Sequence, residues 1–86
     1  MEIKLFQKTQ RDLAASINLV IDQYWLDEID EPKMIELIQK LYITNTKKLI
    51  KGGDYTTIIR QQCGKRRLEV VEQVIQQTQN SERVGD

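Results

Sequence analysis

Few side chains in this sequence could carry covalent chemistry. Cys63 is the only cysteine, and Arg60, Lys65 and Arg66 stand near it. Cations beside a thiol lower its pKa and raise the fraction of nucleophilic thiolate. Cys63 also sits at helical spacing with Ile58 and Ile59, which favours a small core residue over a nucleophile. Ser16 and Ser81 are the only serines, and the chain contains no histidine. Neither hydroxyl therefore has an imidazole base to activate it. Asp27, Glu28, Asp30 and Glu31 crowd four carboxylates into five residues. They lack the glycine and the spaced ligand set of a calcium loop. Without histidine, and with one cysteine, no zinc set can be assembled. Gly52-Gly53 does not belong to a phosphate-binding loop. No catalytic residue, metal ligand or cofactor site is assigned, so the chain reads as one that binds rather than catalyses.

What the sequence does offer is charge in blocks. Thirteen bases balance thirteen acids over 86 residues. Yet residues 22–36 hold six acids against Lys33, and residues 37–67 hold eight bases against Asp54. Zero net charge thus describes a molecule of two opposite parts. Lys47, Lys48, Lys51, Arg60, Lys65, Arg66 and Arg67 form a candidate patch for an anion or a nucleic acid, since phosphate binding draws on such clusters. Tyr24, Trp25, Asp27, Glu28, Asp30 and Glu31 form a candidate protein interface, because Trp and Tyr concentrate at binding hot spots. Each set also has a purely structural reading. Acids opening a helix and lysines closing one complement its dipole, and a lone tryptophan can cap a small core. Lys65-Arg66-Arg67 is harder to place. If Gly64 separates two helices, three cations crowd the end that disfavours them.

These residues must be positioned by helices. Thr9 is an N-cap ahead of Leu13, Ile17, Val20, Ile21 and Tyr24, an apolar stripe at steps of three and four. That spacing predicts a helix over about 10–26. Asp30 caps a second, with Pro32 in its first turn and Ile29 and Met34 at the staple positions. Met34, Ile35, Ile38, Leu41, Tyr42 and Leu49 carry it over about 31–50, to a stop at Gly52-Gly53. Asn45 interrupts the stripe, as a buried polar contact or as a bend. The short connection predicts an antiparallel helical hairpin. Residues 55–59 suit a strand or a helix. A short third helix, capped by Asp54 and stopped by Gly64, is preferred. Leu68, Val71, Val74 and Ile75 predict a C-terminal helix over about 65–78. The expectation is one all-α domain over 1–86, a small bundle of three to four helices. An extended arm over 1–8 and a polar tail over 79–86 flank it. Helix–Gly–helix from Ile58 to Val74 matches a helix-turn-helix in part only, since Lys65 and Gln73 stand where that unit is apolar.

Lys8-Thr9-Gln10 with Leu13-Ala14, then Ile21-Asp22-Gln23-Tyr24-Trp25, resembles the opening of a small uncharacterised family from Bacillus- and Clostridium-type bacteria. Tyr42, Asn45, Lys48, Tyr55-Thr56 and Gly64-Lys65-Arg66-Arg67-Leu68 are similar to its later half. The resemblance spans about Lys8 to Ile75 and implies a compact bacterial cytoplasmic protein, encoded on a mobile element or prophage, with no assigned activity. The residues themselves agree on compartment. A single cysteine suits the cytosol, no apolar run is long enough to span a membrane, and the N-terminus lacks a signal-peptide core. A core this small is marginal, so a protein partner or self-association is expected. Nucleic-acid binding by the 47–67 patch is the alternative.

Overall fold

A computed structural model describes the backbone of residues 3–84 and the side chains of residues 3–79. Helix α1 runs Gln10–Trp25, α2 Glu31–Thr44, α3 Thr46–Leu49 and α4 Thr57–Val84. Strands β1, Ile50–Lys51, and β2, Asp54–Tyr55, form an antiparallel pair between α3 and α4. The protein is therefore the expected small all-α bundle, with a hairpin of strands added.

Helix α1 begins where Thr9 Oγ1 accepts the Asp12 amide at 3.0 Å, meeting one of the first turn's free donors. It ends in a Schellman turn. The Asp27 amide reaches the Tyr24 carbonyl at 3.1 Å and the Glu28 amide reaches Gln23 at 2.8 Å. Asp27 takes the left-handed position, φ 61°, which glycine ordinarily fills. Helix α2 starts on Asp30, whose Oδ1 accepts the Lys33 amide at 2.9 Å. Ile29 and Met34 both pack into the core, as a hydrophobic staple requires.

The expected helix over 31–50 is cut at Asn45, φ −127°. A four-residue turn of helix follows, and the chain then becomes strand. Gly52-Gly53 is not a helix stop. With φ 63° and 83° the pair makes the two-residue hairpin turn that pairs Ile50 with Tyr55 and Lys51 with Asp54. Tyr55 is accordingly a strand residue, and the preferred helix over 55–59 begins only at Thr57. Thr56, not Asp54, stands at its start, with Oγ1 3.5 Å from the Ile59 amide. Asp54 instead accepts the Tyr55 amide and pairs with Arg60.

Helix α4 kinks at Gly64, φ 79° and ψ 167°, so the expected break is there. Its second arm continues past 78 to Val84. Thr78, at the expected end of the helix, is buried, with its hydroxyl donating to the Val74 carbonyl at 2.9 Å, and the helix runs on where a tail was expected. The described part of the arm, from Ile3, is bent rather than extended. Residues 1–2 of the predicted arm and 85–86 of the predicted tail lie outside the described residues.

The core gathers Leu13, Ile17 and Ile21 of α1, Ile38 and Leu41 of α2, Leu49, and Ile59 and Val71 of α4. Each contributes about 1.5–3 kcal/mol on burial. Tyr24, Ile35, Tyr42 and Leu68, expected on these stripes, are only partly buried at the core's edge.

Candidate functional site

Arg67 lies at the centre of the α1–α4 contact. Its Nε donates to Asp22 Oδ1 and its Nη2 to Asp22 Oδ2, both at 3.0 Å. Nη1 donates to the Cys63 carbonyl at 3.2 Å, and the guanidinium lies 5.8 Å from the Trp25 ring centre. Asn18 Nδ2 donates to the neighbouring Gln62 carbonyl at 2.9 Å. The kink at Gly64 frees carbonyls at the end of the first arm, and these two side chains take them up. The three cations after Gly64 thus also follow the negative end of that arm, which favours them. Arg67 is a clamp, not a member of a free anion patch. Arg67→Met should lower stability by about 1–2 kcal/mol, since the pair is charge-assisted yet partly exposed. Thermal melts of Arg67→Met, Asp22→Asn and the double variant should show coupling of at least about 0.5 kcal/mol. Additive losses would remove the clamp.

The other predicted bases divide between two places. Arg60 pairs with Asp54 at 3.0 Å. With Lys65 it lines an open groove of about 710 Å³ between the β hairpin and α4. Ile50, Tyr55, Leu68, Glu69 and Glu72 complete most of its wall. The Tyr55 hydroxyl donates to Glu72 Oε2 at 2.8 Å. Burial, then this carboxylate, pushes its pKa well up. Arg66 is exposed on α4 beside Arg67.

Lys47 and Lys48 lie on α3, and Lys51 lines a second pocket with Gln10, Asp54 and Arg60, at the end of the bundle where α1 begins. The arm is tied there by Asn45. Its Oδ1 accepts the Gln7 amide at 3.1 Å, and its Nδ2 donates to the carbonyls of Leu5 at 2.6 Å and Leu41 at 3.0 Å. Gln7 Nε2 also donates to the Lys4 carbonyl. The tie holds the arm that carries Lys4 and Lys8 against Asn45, at the start of α3. It also leaves Phe6 64% exposed, with Lys48 Nζ 4.9 Å from its ring centre. Leu5 and, two residues before Asn45, Ile43 are exposed as well. Glu2, Asp12 and Asp54 are the acids nearest in the sequence. This end, with Lys4, Leu5, Phe6 and Lys8, was missed in the sequence. The alternation of lysine and apolar residues in the arm was its only local signal.

The opposite end holds the predicted protein interface. Trp25 is 47% exposed and Leu26 68%. Asp27, Glu28, Asp30 and Glu31 are exposed around the turn, whereas Tyr24 packs against the core. Asp30 is also committed to its cap. Sixteen residues of α1 at about 1.5 Å each separate the acidic end from the basic one, roughly 24 Å.

Cys63 is 2% exposed, and burial pushes its thiol up to about 11 although Arg67 acts in the other direction. Such a thiol is a poor nucleophile at neutral pH. Among the described residues no cluster of acids and cysteine could hold a metal ion, and no helix is long and apolar enough to cross a membrane.

A family model described as "Conserved hypothetical protein" matches residues 4–76, close to the span over which the sequence resembles such a family. No curated protein matches the chain. No solved structure matches it either.

Proposed function

Since the chain belongs to this CLB_0814 family of conserved hypothetical proteins, whose description carries no activity, we propose from its surface that it is a non-enzymatic protein-interaction module of a bacterium or its prophage. The observation that carries this reading is the exposed Trp25-Leu26 pair, followed by the carboxylates of the turn, with the Arg67 guanidinium over the Trp25 ring. Large apolar side chains at a helix end cost solvation unless a partner covers them. Trp is the residue most able to convert such cover into affinity. The carboxylates select a partner of basic and apolar character and speed its encounter. Asp27 supports the same reading. Glycine would relieve its left-handed backbone by about 1 kcal/mol, yet the position carries a charge.

The test is capture from host extract by the immobilised full chain, with and without nuclease. The Trp25→Ser/Leu26→Ser variant runs alongside. A protein held by the wild type through nuclease treatment, and reduced at least about tenfold by the variant, is the expected result. Retention that vanishes with nuclease, together with DNA or RNA affinity that falls steeply with salt, would transfer the function to nucleic acid. Equal capture by wild type and variant would remove the Trp25-Leu26 surface.

A further inference from the structure

We propose that a partner of the acidic end is the basic end of a second copy of this chain, so that copies associate head to tail. The proposal rests on the interaction-module reading and names the partner's chemistry. It comes from pairing the two ends. One carries Trp25 and Leu26 among Asp27, Glu28 and Glu31. The other carries Phe6 among Lys4, Lys8, Lys47, Lys48 and Lys51. Each presents exposed apolar groups, 68% for Leu26 and 64% for Phe6, where charge of one sign predominates, with Arg67 against Trp25 and Asp12 at the start of α1 as the exceptions, and the predominant signs are opposite. Each end repels a copy of itself and attracts the other, since like-charge juxtaposition is costly and complementary patches attract. A two-fold dimer places a patch on its own copy. It would set acid on acid or base on base if formed through either end. Met end to end, the contact that satisfies both patches is heterologous, whereas a two-fold pair laid side by side would stop at two.

That geometry has a consequence a two-fold dimer lacks. The ends lie on opposite sides of the α1–α2 hairpin, so a bound pair still offers one free end of each kind. Assembly proceeds past two, to a closed ring or an open chain according to the rotation between neighbours. Charge across the contact makes it weaken with salt, because screening acts over about 10 Å at 0.1 M.

Sedimentation velocity of the purified, nuclease-treated chain tests this without any host partner. Wild type should show species growing beyond the dimer with concentration and shrinking as salt rises. Two variants each disable one end at exposed positions that make no described side-chain contact. Leu26→Ser/Glu28→Gln removes the acidic end, and Lys8→Gln/Lys47→Gln removes the basic one. Each alone should lose at least about tenfold in association. Mixed, they should form a one-to-one dimer that grows no further, because one intact acidic end meets one intact basic end. Recovery in the mixture also proves both variants folded. A wild type that stays monomeric at about 0.5 mM in low salt overturns the proposal. So does a dimer that stops at two in the wild type, or a mixture that remains monomeric. In those cases capture of a host protein through Trp25-Leu26 would still stand on its own experiment.

Discussion

Asn45→Ala should lower stability by about 2–4 kcal/mol, and Tm by about 10–25 °C, although the side chain carries no charge and fills no large volume. Asn45 is 3% exposed and serves three backbone groups that have no other described partner side chain. Removing it strands the buried Gln7 amide and takes the donor from the partly buried Leu5 carbonyl, and a buried unsatisfied group costs about 1–3 kcal/mol. The arm should come loose before the bundle melts. Hydrogen exchange at the Gln7 amide is the local reading, and circular dichroism the global one. Asn45→Asp sharpens the test. It keeps an acceptor for Gln7 but turns a carboxylate toward two carbonyls. Its folded-state pKa must then lie above the unfolded value of about 3.9. A raised folded pKa means that stability is fully present below the unfolded pKa and is lost as pH rises through the folded one. Asn45→Asp should therefore approach wild type near pH 3–4 more closely than at pH 7. Two variants within about 0.5 kcal/mol of wild type at neutral pH would show that the tie is ornamental.

Gly64→Ala should cost about 2–3 kcal/mol. A Cβ at Gly64 meets nothing within 4 Å, so crowding does not explain the loss. The cause is the backbone, since φ 79° with ψ 167° falls in a region that is nearly glycine's alone. Alanine favours a helix at this position by about 1 kcal/mol over glycine. The variant can relieve its strain by straightening α4, but a straight α4 cannot seat Ile59 and Cys63 on one side of the kink and Val71 on the other. Helix content should therefore hold or rise while tertiary stability falls. Alkylation of Cys63, buried in the wild type, should accelerate about tenfold for each 1.4 kcal/mol of stability lost. Unchanged alkylation together with an unchanged Tm would mean that the kink is not needed for the core.

Both predictions concern places where the sequence carried the right residues and an incomplete meaning. The stripes of α1, α2 and α4 were legible because apolar residues repeat at helical steps over ten or more positions. Thr9, Asp30 and the Ile29–Met34 staple marked two starts. Gly64 was recognisable as a break. The hairpin was hidden because Gly52-Gly53 serves a helix stop and a two-residue turn equally well, and strands of two residues have no period to detect. The ends of the molecule were half legible. Trp25 and its acids adjoin in sequence, so their cluster could be read directly. The arm reaches α3 only through Asn45, across some forty residues, and no local pattern announces that. Arg67 was misjudged for the same reason, since Asp22 stands 45 residues away.

Those long separations also set the order in which the molecule can be made. Ala14 meets Cys63, Asn18 meets Gln62 and Asp22 meets Arg67, each 44 to 49 residues apart. During synthesis, which runs from the N-terminus at about 5–20 residues per second, α1 and α2 emerge first. They wait seconds with Leu13, Ile17 and Ile21 uncovered until α4 arrives. In that interval the nascent chain offers an apolar hairpin to chaperones, or to the same hairpin on a neighbouring ribosome.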